Sequence, residues 1–152
     1  MFDTPHRAAG LLIALAAAAL AGCSSGSDPF PPACGDPASS FEQALTAAPH
    51  PVRVEGTAIS SCFARRDQQA DIETLGGSLT TAAEDLAAKV RMDPRSAAAT
   101  QLGYLIAAAE RGGSRTDGIH SELLRRLQLE LDGLDTHTPQ YAAGRAAGRR
   151  FG

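Results

Sequence analysis

Histidine, tyrosine and paired carboxylates are the side chains of this 152-residue sequence that could move protons or hold a ligand. Histidines stand at positions 6, 50, 120 and 137. His120 is the one inside a helical pattern, but Leu123 and Leu124 occupy the positions where a second metal ligand would share its face, and no HExxH is present. His50 lies between Pro49 and Pro51, and His137 lies between Thr136 and Thr138 in a connecting segment. The serines gather in linkers and helix starts, without the GxSxG of an activated nucleophile. Glu84/Asp85 and Asp132/Asp135 have the residue types of a two-carboxylate hydrolase, yet that chemistry needs two acids facing each other across a cleft. Their spacings suit solvated helix faces better. Gly112, Gly113 and Gly118 lack both the lysine and the preceding strand of a phosphate loop. Arg65/Arg66 and Arg125/Arg126 read as exposed helix charge, with Glu122 four residues before Arg126 as an ordinary helical pair. What remains is Tyr104, His120 and Tyr141, three rare polar aromatic groups on three different helices. Either they line one ligand groove, or each is buried with its hydrogen bonds satisfied. No catalytic residue, metal ligand or cofactor is assigned.

The N-terminus carries a more specific signal. Residues 8–20, AAGLLIALAAAAL, are an uncharged apolar run of 13 preceded by His6 and Arg7. The run is too short to span a bilayer and suits the apolar region of an export signal. Leu20, Ala21, Gly22 and Cys23 follow, and this segment resembles the type II signal peptide and lipobox of bacterial lipoproteins. The resemblance implies cleavage between Gly22 and Cys23, a diacylglyceryl group on the Cys23 thiol, and anchorage to the cell membrane or outer membrane on its extracytoplasmic side. Ordinary secretory cleavage at a nearby Ala-x-Ala is the alternative, and Asp3 weakens the basic n-region by offsetting Arg7. Acyl chains contribute roughly 0.8 kcal/mol per buried CH₂, so two or three hold a protein on a membrane. Residues 24–33, SSGSDPFPPA, have no apolar periodicity and read as a tether of about 20–30 Å. The expected organisation is a signal at 1–22, a lipid-anchored tether at 23–33 and a folded domain at 34–152.

With Cys23 assigned to lipid, Cys34 and Cys62 remain. Two cysteines in an exported domain most simply form one disulfide, with free thiols as the alternative. Neither a CxxC pair nor a paired Cys/His zinc spacing is present.

The elements that must position these residues are helical. Asp36–Pro37 with Ser39 and Glu42 supply cap signals for a short helix ending near Ala48, and Pro49 and Pro51 stop it. Residues 52–56 read as a loop or an isolated strand, and residues 56–62 as a short turn carrying Cys62. Ile72, Leu75, Leu79, Ala82, Leu86 and Val90 recur every three or four positions on one helix face. Gly76 and Gly77 interrupt that helix, either as a kink or as a place where another backbone comes close. Asp93 and Pro94 are expected to start a third helix, with Ala98, Leu102, Leu105, Ile106 and Ala109 on its face and Gly112–Gly113 at its end. Ser114 or Thr116 would cap a fourth, with Ile119, Leu123, Leu127, Leu131 and Leu134 inward. Thr138 and Pro139 start a last helix whose small residues, among them Gly144 and Gly148, allow close packing on a neighbour although glycine weakens it alone. The fold class is all-α, an irregular bundle of about four main helices plus short helical segments, with short connections that favour antiparallel neighbours.

Composition agrees with that class and narrows function little. Of the 152 residues 30 are alanine, tryptophan is absent and 13 of the 14 basic residues are arginine, a bias typical of GC-rich coding. Alanine buries little area unless backbones approach closely, which disfavours a β-sandwich or a large α/β enzyme. A net charge of −3 gives no broad basic face for nucleic acid. Arg145, Arg149 and Arg150 follow the last acid, Asp135, and read as a solvated terminus. The stretches LGYLIAAAERG (102–112) and GIHSELLRRL (118–127) are similar to a group of small exported proteins of GC-rich bacteria, which implies export and brings no activity with it. The expected role is that of a non-catalytic envelope lipoprotein whose helical domain binds another envelope protein or supports the envelope. The alternatives are a small apolar-ligand carrier or sensor and, third, an envelope-polymer hydrolase.

Overall fold

The order of elements follows from where the sequence caps its helices and where it interrupts them. A computed structural model describes residues 30–63, 69–114 and 119–152, and those residues are all-helical apart from one isolated bridge. A 3-10 turn, Pro32–Gly35, leads into helix α1, Ala38–Leu45; a second 3-10 turn, Ile59–Phe63, precedes α2, Gln69–Met92. Then come α3, Ala97–Gly113, α4, Ile119–Leu129, and α5, Pro139–Phe151. Four main helices and the short α1 make up the expected irregular bundle.

Local chemistry explains most boundaries and corrects several. α1 begins at Ala38, so Ser39 is already inside the first turn and forms no capping box; no side chain caps this end. Glu42 instead accepts from Lys89 Nζ of α2 at 3.1 Å. At 52–57, Val54 and Thr57 exchange both backbone hydrogen bonds around Glu55 and Gly56, whose φ angles of 45° and 83° are those of a tight hairpin turn. Asp93 does not start α3. Its carboxylate accepts from the Arg95 amide at 2.9 Å, closing a turn, and α3 starts only at Ala97, with Ser96 in the cap position. α4 stops at Leu129, short of the apolar stripe, yet Leu131 and Leu134 still pack on the core from the turns that follow. Thr138 caps α5 as expected, its Oγ1 accepting from Tyr141 N at 3.2 Å, with Pro139 pre-set for the first turn.

Gly76 and Gly77 prove to be neither a break nor a kink that ends the helix, because α2 runs through both. A Cβ on Gly76 would lie 3.5 Å from the Leu123 side chain of α4, an ordinary contact, and a Cβ on Gly77 would meet nothing, so the space at neither position demands glycine.

α3 is the axis of the core. Residues 102–109 are buried without interruption, so burial extends right round the helix and not only along the face that the periodicity marks. α2 and α4 take the Leu and Ile side, and α5 covers the side formed by Gly103, Tyr104 and Ala107. Gly144 stands against Thr100, Gly148 against Tyr104 and Gly152 against Ala108, a register in which both chains advance together. α5 therefore runs parallel to α3, with α4 and the segment from residue 130 to 138 between them in sequence. The direction in which a Cβ would leave Gly144 or Gly148 is filled by the Thr100 or Tyr104 carbonyl oxygen, the geometry of weak Cα–H···O bonds.

The body also starts earlier than residue 34. Ala33 is buried and Phe30 packs against the core, so residues 30–33 belong to the packed body. Cys34 and Cys62 are disulfide-bonded, with Cα atoms 5.5 Å apart, which joins the entry turn to the turn before α2. Cys23 and the signal-like run lie outside the described residues, as do Arg65, Arg66 and Gly118.

Candidate functional site

Tyr104, His120 and Tyr141 each meet different surroundings. Tyr104, in the middle of α3, is fully buried, and its hydroxyl oxygen accepts the Val52 amide at 3.0 Å across the core. That N–H belongs to Val52, a buried residue in a largely exposed segment between α1 and the second 3-10 turn, with no helix or sheet ladder to satisfy it, so the phenol replaces a ladder partner. His120 is 2% exposed and lies in the first turn of α4, its ring centroid 6.2 Å from that of Phe63 and tilted by 49°. Tyr141, 7% exposed, lies in the first turn of α5, where burial pushes its phenol above the usual range and the Arg145 guanidinium opposes that shift. Each is a buried core or interface group with its own surroundings.

Removing the Tyr104 hydroxyl therefore gives a stability change. Tyr104→Phe keeps the ring but strands the Val52 amide, a buried donor whose loss of partner costs about 1–3 kcal/mol. Urea denaturation of the variant is expected to show that decrease with an unchanged m-value.

Two surface grooves can be outlined among the described residues, and neither has Tyr104, His120 or Tyr141 in its wall. One, of about 260 Å³, runs between α2 and α4 with Ile72 and Leu123 as its apolar floor, bare backbone at Gly76 and Gly77, and Glu73, Glu122 and Arg126 at its rim. The other, about 310 Å³, lies between α1 and the hairpin turn and is lined by Asp36, Ser40, Gln43, Ala44, Arg53, Val54 and Glu55.

The rim charges of the first groove are engaged. Glu122 accepts from Arg125 at 2.8 and 2.9 Å and from Arg126 at 3.0 Å. Those hydrogen bonds, Arg125 first, lower its carboxyl to about 2, so it stays ionised across the neutral range. The pair is exposed and salt-screened, and serves chiefly to orient three side chains on α4. Glu84, Asp85, Asp132 and Asp135 are all exposed. Glu130, which the sequence did not single out, has its carboxyl raised by burial and by Glu84. Among the described residues no group of three or more His, Cys, Asp or Glu side chains could hold a metal ion, and no helix is long and apolar enough to cross a membrane.

The end of α5 is where the sequence reading departs most from the structure. Arg145 is paired: its guanidinium donates to Glu110 Oε1 at 2.7 Å across the α3–α5 seam. Arg111 of α3 donates to the carbonyls of Arg149 and Arg150 at 3.1 and 2.7 Å, placing a cation where a helix C-terminus presents unpaired oxygens. Ser60 Oγ donates to the Gly152 oxygen at 2.5 Å, and Gly152 is buried. This end of the chain is docked rather than frayed. The recurrence of glycine at 144, 148 and 152 was the available signal, since a four-residue period puts all three on one stripe. Nothing local marks Arg111 or Ser60 as its partners.

Compared with known proteins, the chain matches no family model, no curated protein and no solved structure.

Proposed function

We propose that this chain is a lipid-anchored protein of the cell envelope whose helical body works by contact rather than catalysis, binding another envelope protein or supporting the envelope itself. The observation that carries the reading is the joint occurrence of Leu20-Ala21-Gly22-Cys23 and the Cys34–Cys62 disulfide immediately after it. A disulfide in a small domain belongs to an oxidising compartment, which is where a protein bearing that lipobox would be delivered. The short stretch between Cys23 and Phe30 would keep the body near the bilayer.

Against an enclosed-ligand role stands the use of Tyr104 as a partner of the Val52 amide, which gives its polar group to the fold. The α2–α4 groove supports carriage of a small apolar ligand as a second reading, through Ile72 and Leu123 at its floor.

Cys23→Ala tests the anchor. The unaltered chain, expressed in a bacterium and fed a labelled fatty acid, is expected to take up label and sediment with membranes; the variant is expected to lose the label. Label persisting in Cys23→Ala would remove the basis of the proposal. Crosslinking in intact envelopes, with the captured neighbours identified, then separates a protein partner from a small ligand.

A further inference from the structure

Three exposed arginines lie toward one end of the bundle, and the contacts they make leave their charge at the surface: Arg111 on the carbonyls of Arg149 and Arg150, and the Arg150 guanidinium 4.8 Å from the centre of the Phe151 ring. Arg111 stands near the end of α3, and Arg149 and Arg150 near the end of α5; all three are exposed, and the parallel run of the two helices brings them to the same end. Arg111 reaches the backbone carbonyls of both other arginines, so the three residues are neighbours. The neighbouring acid on α3, Glu110, is already paired with Arg145.

The same end holds the disulfide that ties down the first turn of the body. Gly152, next to these arginines, is bonded to Ser60, and Ser60 lies in the 3-10 turn whose Cys62 is disulfide-linked to Cys34. Packing reinforces the connection, since a Cβ on Gly112 would meet Ser60 and Phe63 of that turn. The six residues between Cys23 and Phe30 can span at most about 25 Å when fully extended.

We propose that this arginine end is a docking surface for the phosphates of anionic phospholipid headgroups, and that it sets the orientation of the body on the membrane. The inference rests on Cys23 being the anchor point. A chain of net charge −3 is not drawn to an anionic surface from afar. Local attraction acts within a Debye length, about 10 Å at 0.1 M salt, so a short leash is what brings the arginines into range. Each arginine near such a surface contributes about tenfold or less to the preference for this orientation. Arginine suits phosphate because its planar fork donates two parallel hydrogen bonds to it.

The test uses the full acylated chain, purified from membranes and reconstituted in two kinds of vesicle, phosphatidylcholine alone and phosphatidylcholine with phosphatidylglycerol. Phenylglyoxal modification of Arg149 and Arg150 is followed by mass spectrometry, with Arg95, exposed at the α2–α3 turn about 25 Å away along α3, as the internal reference. The expected result is modification of Arg149 and Arg150 slowed about fivefold or more by phosphatidylglycerol, with Arg95 unaffected and the protection abolished by high salt. Equal rates in the two vesicles, or protection that survives high salt, overturn the docking surface. Flotation with the vesicles without protection overturns this inference alone, whereas failure to float with either vesicle overturns the anchor and the inference together.

Discussion

Gly144→Ala is expected to destabilise the folded chain by about 2–3 kcal/mol, while Gly77→Ala, also inside a helix, is expected to stabilise it by up to about 1 kcal/mol. Helix propensity favours alanine at both sites by the same amount. What differs is the space. A Cβ on Gly77 meets nothing within 4 Å, whereas one on Gly144 runs into the Thr100 carbonyl and comes 2.9 Å from the Tyr104 amide. Both obstacles are backbone of the buried central helix, which cannot swing aside as the tip of a side chain can. α5 must then move off α3, and it carries too much with it to do so cheaply. Gly148 loses its seat at Tyr104, Arg145 its bond to Glu110, and Ser60 its bond to Gly152. Undocked, α5 is a 13-residue helix holding two glycines, below the length at which isolated helices are stable in water. Gly144→Leu should release it completely. Chemical denaturation of the three variants checks the order Gly77→Ala above unaltered above Gly144→Ala above Gly144→Leu; a stabilised Gly144→Ala would mean that the seam is looser than described.

The second large effect is that of the disulfide. Cys34 and Cys62 are 28 residues apart, and opening a loop of that length in the unfolded chain costs about 3.5 kcal/mol on the loop-entropy account, which is model-dependent. That is a large part of the 5–15 kcal/mol that holds a typical domain together. The double variant Cys34→Ala/Cys62→Ala is expected to unfold about 10–20 °C lower than the oxidised chain. Both cysteines are buried, so a reductant reaches the bond only through opening of the entry turn. Calorimetry with and without reductant measures the stability difference. Free alkylation of both thiols in untreated exported protein would show that the pair is not formed there.

These two predictions differ in how visible their causes are in the sequence. The disulfide was legible by counting, because assigning Cys23 elsewhere leaves two cysteines. Its consequence for the tether was not: that Phe30 and Ala33 belong to the body depends on where the linked turn lays them on the core. The helices were legible from apolar spacing and from Thr138–Pro139. Misplaced starts, as at Asp93, arose where a side chain had two backbone uses and only the final geometry chose the turn over the cap.

For the candidate site the residue types were legible and their company was not. Tyr104, His120 and Tyr141 stood out as rare polar aromatics, and rarity marks burial and binding alike. Tyr104 faces an amide 52 positions away in sequence, a relation with no local trace. The last three arginines looked like a solvated end because the acid that answers Arg145 and the carbonyls that answer Arg111 lie on opposite sides of a helix pair.

By itself the sequence determined what depends on neighbouring residues. That covers an all-helical chain, its main breaks, its lack of a local catalytic motif, its pair of cysteines, and an alanine- and glycine-rich composition that demands close packing. The tertiary structure alone decided that α5 runs parallel to α3 in a glycine seam, that the middle of α3 is buried all round, and that Arg111 meets the carbonyls of Arg149 and Arg150 at the end of α5. The physical reason is range. Caps and apolar periods act within a turn or two, whereas a glycine states only that no side chain is present, and what fills that space is set by a backbone far away in the chain.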